Sequence, residues 1–236
     1  MPRWPSTAPP GRRAPGSWGA WRRCRGRSAG AGSRSKKVLR ARERDEAQRT
    51  TWRDALAEVD PARLIFVDET GTNLSLTRRY GCAKRGERVV GVVPRNHGPN
   101  VTLIAAMDQD GLCGELTITG ALDSAAFEAY VTRILVPHLW PGDLVILDNL
   151  SAHKSKCARM WIESTGAQVV FLPPYSPDFN PIELAFSKLK TRLRQVGART
   201  RDALDQAITT ALLTITNEDA QAWFAHCGYH DPGQLL

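Results

Sequence analysis

Three carboxylates, Asp68, Asp148 and Glu183, are spaced along the chain so that folding could bring them together. Asp68 follows the apolar run Leu64-Ile65-Phe66-Val67, and Asp148 follows Leu144-Val145-Ile146-Leu147 in the same way. Glu183 closes the stretch Leu172-Pro173-Pro174-Tyr175-Ser176-Pro177-Asp178-Phe179-Asn180-Pro181-Ile182-Glu183. Taken singly, each has an ordinary structural reading. An aspartate after an apolar run is commonly a turn former, and Asn180 with Glu183 three residues later has the spacing of a capping box. Together they point further. Acids at the C-terminal ends of two buried strands, with a third on the first turn of a following helix, would meet at the sheet edge where ligand and catalytic sites form. Carboxylates held close repel, and divalent cations relieve that repulsion most simply. Oxygen ligands without a Cys/His cluster favour Mg²⁺ or Mn²⁺ over zinc. Two such ions about 4 Å apart clamp the attacking and leaving oxygens of an in-line phosphoryl displacement, which makes a phosphodiester the expected substrate.

The elements that must position these acids are legible from periodicity. Continuous apolar runs of strand length at 64–67 and 143–147 predict strands buried on both faces. Further strands are expected around 73–77, 101–107, 115–118 and 168–172, with a hairpin at Asp108-Gln109-Asp110-Gly111. Helices are expected over 36–59, with Trp52, Leu56 and Val59 on one stripe, and over 124–135, 155–164, 181–196, 200–215 and 217–225. An antiparallel set followed by β-α-β-α describes a mixed α/β sheet with helices on both faces. Pro173, Pro174 and Pro177 make the connector before Glu183 stiff, and Pro181 is pre-organised for a first helical position.

On the helix from Pro181, Ile182, Phe186, Leu189, Leu193 and Val196 fall on one apolar stripe at 100° per residue. Glu183, Ser187, Lys190 and Arg194 share a different face. Lys190 and Arg194 then project roughly 10 and 16 Å along the axis from Glu183, a reach suited to phosphates a few nucleotides away. Cations near a helix C-terminus also suit its dipole, which is the alternative. Asn149 is expected to orient Asp148 or cap a helix. Glu69 points to the other side of an extended chain and is not expected to be a ligand. Trp52, Trp140, Trp161 and Trp223 read as core or interface, and Lys84, Arg85 and Arg88 as a basic turn that lies on DNA or in solvent.

The net charge of +8 over 236 residues is concentrated at one end. Residues 1–35 hold eight arginines, no acid, eleven Gly plus Pro and three Trp, a composition that predicts disorder. Residues 36–236 carry 24 basic and 24 acidic side chains, so the basic charge argues for nucleic acid through the tail and not through the folded part. Cys24, Cys82, Cys113, Cys157 and Cys227 include no C-x-x-C pair, which predicts reduced thiols and no zinc knuckle. No apolar run reaches the roughly 18 residues of a membrane helix, and no apolar h-region follows the first arginines, so a soluble intracellular protein is expected.

Asp68-Glu69-Thr70, then Asp148-Asn149 with His153 five residues after the aspartate, then the Pro174 to Glu183 stretch, with 34 residues between Asp148 and Glu183, resemble the DDE transposases of bacterial insertion sequences in the mariner-like superfamily. The resemblance runs from about Lys36 to Tyr229. It implies an RNase H-like catalytic domain with a mixed five-stranded sheet, and Asp68, Asp148 and Glu183 as the metal-binding and catalytic triad for two Mg²⁺ or Mn²⁺ ions. It implies cleavage at element ends and strand transfer into target DNA, usually at TA, by a homodimer in synapsis. DNA contacts are expected at Lys190, Arg194 and His153; His153 has organising Asp148 as its alternative role. The implied plan is a disordered segment over 1–35, a helical linker over 36–60 and a catalytic domain over 61–236, in a bacterial, nucleoid-associated cytoplasmic protein. The family places a helix-turn-helix region before this domain, and residues 1–60 show no pair of amphipathic helices. A catalytically silent remnant that binds DNA or a partner subunit is therefore the alternative, with an RNase H-like nuclease as a third reading.

Overall fold

In the computed structural model, residues 41–230 are described. The expectations for 1–35, for the first five residues of the 36–59 helix and for the C-terminal end of the catalytic domain lie outside them. Strands β1 (Leu64–Thr72), β2 (Val101–Asp108), β3 (Gly111–Thr119), β4 (Leu144–Leu147) and β5 (Gln168–Phe171) form one sheet in the order β3-β2-β1-β4-β5. β1 pairs antiparallel with β2, and β2 with β3, whereas β1–β4 and β4–β5 are parallel. The sheet is thus mixed and five-stranded.

β1 sits at the centre because its apolar residues alternate between two cores. Leu64 and Phe66 face helices α4 (Ile182–Val196), α5 (Arg201–Leu212) and α6 (Asn217–Cys227), while Ile65 and Val67 face α2 (Ser124–Tyr130) and α3 (Lys156–Ser164). The remaining helix, α1 (Glu46–Leu56), is capped by Asp45 and adds Trp52 and Leu56 to the first core. Among the described residues, no helix is long and apolar enough to cross a membrane.

Five sequence expectations change. Among the described residues the helix expected over 36–59 spans only Glu46–Leu56, because Asp45 caps its start. The strand around 73–77 is not formed: β1 runs on to Thr72, and Asn73 Oδ1 then accepts from the Ser75 amide and hydroxyl, bending the chain into a turn. The helix over 124–135 keeps α geometry only to Tyr130 and continues as a wider turn over Val131–Leu135. Pro137 follows and has no amide to continue the ladder. Val196 leaves the stripe of α4 and is 61% exposed in the last turn, beside the left-handed Gly197 that ends the helix. Trp140 and Trp161 are exposed at the surface, so for them the core reading fails.

Candidate active site

Parallel register brings the first two acids together. Val67 pairs with Leu147, so Asp68 and Asp148 come one residue later on adjacent strands, which lie about 4.8 Å apart. Both share the sheet face of Phe66 and Ile146, the face that α4 covers. Leu172 extends the ladder by donating its amide to the Leu147 carbonyl, after which Pro173 and Pro174 lead the chain away. A 3₁₀ turn at Pro177–Phe179 then returns it to the start of α4, with Glu183 exposed on the first turn. Asp68, Asp148, Asn180 and Glu183 line one cleft of about 490 Å³.

Asp68 is 7% exposed, with Oδ1 accepting from the Glu69 amide at 2.8 Å and Oδ2 from Asn180 Nδ2 at 2.9 Å. Burial pushes its carboxyl up to about 7, with Glu69, Glu183 and Asp148 adding to the rise and the Glu69 amide opposing it. Asp148 lies at the cleft wall, with Oδ1 accepting from the Leu150 amide at 2.8 Å and contacting His153 Nδ1 at 2.6 Å. Its burial is outweighed by the His153 hydrogen bond, the Leu150 amide and the charges of His153 and Lys154, which together hold it below the usual carboxylate range.

Asn180 corrects the capping-box reading. Its side chain is turned to Asp68, the residue before α4 is Pro181 with no side-chain cap, and the Glu183 amide bonds only the Asn180 backbone carbonyl, at 3.2 Å. With Nδ2 on Asp68 Oδ2, Asn180 Oδ1 is left buried without a partner.

His153 lies on Asp148, the second of the two places expected of it, and not at the surface. Its side chain is fully buried, packed 4.6 Å from the Phe127 ring, with Nδ1 on Asp148 and Nε2 in an ion-pair contact with Glu69 Oε2 at 3.2 Å. Burial alone would lower its pKa, but the two carboxylates raise it to about 9, so the ring is held protonated between them. Glu69 does point away from the cleft, and the histidine occupies that far side. Asn149 neither caps nor touches Asp148; its Nδ2 donates to the Leu172 carbonyl at 2.7 Å and ties the ends of β4 and β5. Lys190 and Arg194 are half-buried on α4 and do not line the cleft. Arg194 lies close enough to Arg79 that, after burial, this like charge lowers its pKa.

The lining residues contain three carboxylates, an unpaired amide oxygen and no basic side chain. That oxygen-only donor set with uncompensated negative charge fits a hard divalent cation. Among the described residues, no three His, Cys, Asp or Glu side chains lie close enough together to hold a metal ion as they stand.

A mixed sheet with an acidic cleft at the C-terminal ends of two central strands defines an α/β protein of the kind that acts at its sheet edge. A family described as the DDE superfamily endonuclease matches residues 63–205, and the chain belongs to that family. Among curated proteins, none matches. Three similar solved structures are the Mos1 strand transfer complex (TM-score 0.68, 16% identity, 83% of this chain and 63% of that one), the Mos1 mariner paired end complex with Mn (0.66, 15%, 83% and 63%) and the catalytic domain of Mos1 mariner transposase (0.59, 14%, 81% and 92%). The chain therefore shares the RNase H-like fold of that catalytic domain, and it spans 63% of the Mos1 chains in the two assemblies.

Proposed function

We propose that this chain is the catalytic part of a DNA transposase that cleaves phosphodiesters at element ends and joins them to target DNA. Asp68, Asp148 and Glu183 act as ligands for two Mg²⁺ or Mn²⁺ ions. The observation that carries this reading is the single cleft lined by all three acids and by no base. When bound, the ions ready the attacking oxygen and stabilise the leaving one. The chain's own residues set the geometry. The Glu69 amide and Asn180 aim Asp68, His153 anchored on Glu69 aims Asp148, and the proline-stiffened turn aims Glu183. Such supporting contacts orient ligands that would otherwise rotate away from one another.

In the same reading, residues 61–236 are the catalytic domain, the expected linker contributes α1 to that domain's core, and 1–35 are a basic segment. Lys190 and Arg194 contact backbone phosphates, and a homodimer holds two element ends in the bacterial nucleoid. The similar Mos1 structures include a strand transfer complex and a paired end complex with Mn, in keeping with the chemistry proposed for this chain.

The test is strand transfer in Mn²⁺ by the full chain, using pre-cleaved duplexes copied from the DNA that flanks its reading frame. Joined product supports a transposase. Cleavage of RNA in a hybrid duplex with no joining would make it a nuclease, and binding without either reaction would make it a silent remnant.

A further inference from the structure

Arg49 lies on α1, outside the cleft, and is only 3% exposed. Its Nη1 and Nη2 donate to Asp178 Oδ1 at 3.0 Å and Oδ2 at 2.7 Å, a bidentate fork, and its guanidinium carbon sits 3.8 Å from the centre of the Phe179 ring. Trp52 stacks on that ring at 5.3 Å and 8°, and Tyr229 Oη donates to the Phe179 carbonyl at 2.6 Å. The carboxylate, ring and carbonyl of one dipeptide are thus held from two separate parts of the chain. The next residue is Asn180, which holds Asp68, and Glu183 follows three residues on.

We propose that Arg49 is a positioning residue of the catalytic site, fixing Asp178-Phe179 so that Asn180 and Glu183 present Asp68 and the cleft to the metal; this rests on the function proposed above. Two features separate positioning from adhesion. An apolar side chain would cover Phe179 without the cost of burying a guanidinium, so the fork matters where the direction of Asp178 matters. Tyr175, in the same connector, adopts φ 54°, a left-handed backbone that a residue with a side chain keeps only when its surroundings over-determine it.

The test uses the full chain carrying Arg49→Lys, which keeps the charge and loses the fork, and a double variant, Arg49→Met with Asp178→Leu, which removes both members of the fork and leaves Arg44, 3.6 Å from Asp178 in the native chain, paired with Glu46. Nicking of supercoiled plasmid in Mn²⁺ and thermal unfolding with and without Mn²⁺ are measured for both. Loss of a supporting contact predicts kcat down about 10-fold or more, KM for DNA nearly unchanged and a higher Mn²⁺ midpoint. The rise in Tm caused by Mn²⁺ also shrinks, and in the double variant this occurs although its metal-free Tm stays near wild type. Wild-type kcat and Mn²⁺ response in either folded variant would overturn the proposal and leave Arg49 as adhesion for α1. Asp148→Asn is run alongside. If it nicks normally, the triad itself is wrong; if it is inactive while the Arg49 variants are unimpaired, only the positioning role fails.

Discussion

A carboxylate buried beside two others stays oriented only if its neighbours supply hydrogen bonds, and for Asp68 the side-chain donor is Asn180. Asn180→Ala strands Asp68 Oδ2, so a loss of about 1–3 kcal/mol is expected in urea unfolding, with weaker Mn²⁺ binding by calorimetry. Glu183→Gln behaves differently. Glu183 is exposed and caps nothing, so Tm should hold while cleavage falls by about 100-fold or more, the several kcal/mol that metal coordination supplies. Full cleavage activity in that variant would remove Glu183 from the site. That the three acids come to one cleft could be read from the sequence, because an apolar run marks where a strand ends, and Pro181 marks where a helix starts. Asn180 could not, since an asparagine before a helix already has a local explanation as a cap. His153 on Asp148 is one of the two roles expected of it, but its second partner, Glu69, could not be read, since the two meet only once β1 and β4 are in register.

Helix α4 carries Glu183 at the acidic cleft and, further along, Lys190 and Arg194. Ile182, Phe186, Leu189 and Leu193 hold one face on the sheet, which leaves Glu183, Lys190 and Arg194 on the other side of the same rod. Lys190→Ala with Arg194→Ala should weaken binding of a random duplex and lower the slope of log affinity against log salt by about one per residue. An unchanged slope with a lowered Tm would assign the pair to the helix dipole instead. Periodicity found this helix within a residue of its observed start and end. It misplaced a strand at 73–77, because a single Asn73 turn outweighs strand propensity once the partner strand has ended. Contacts across great sequence distance, such as Arg49 with Asp178 129 residues away, leave no periodic trace at all.

At the scale of the molecule, a five-stranded sheet between two cores carries a concentration of negative charge at one edge, and this should show in the pH dependence of stability. Asp68 has a folded pKa near 7 against an ordinary 3.8, so stability contributed by its protonated form is present below about pH 4 and lost as pH rises to 7. His153, raised from 6.5 to about 9, contributes stability at lower pH that is lost as pH climbs through 9. Metal-free Tm should therefore fall as pH rises from 4 to 7, and Mn²⁺ or Asp68→Asn should flatten that fall; a Tm rising over the same range would contradict the electrostatics described. The fold class was legible because alternating apolar runs specify a sheet covered on both faces, whereas which acid would be buried depends on packing that periodicity does not carry. The central claim, that three acids form one metal-dependent phosphoryl-transfer centre, is tested most directly by Asp148→Asn in single-turnover joining of a 3′-hydroxyl DNA end in Mg²⁺. The amide keeps the shape and loses the charge, so the predicted rate is below about a hundredth of wild type with an intact fold by circular dichroism, and a variant retaining more than about a tenth would contradict the claim.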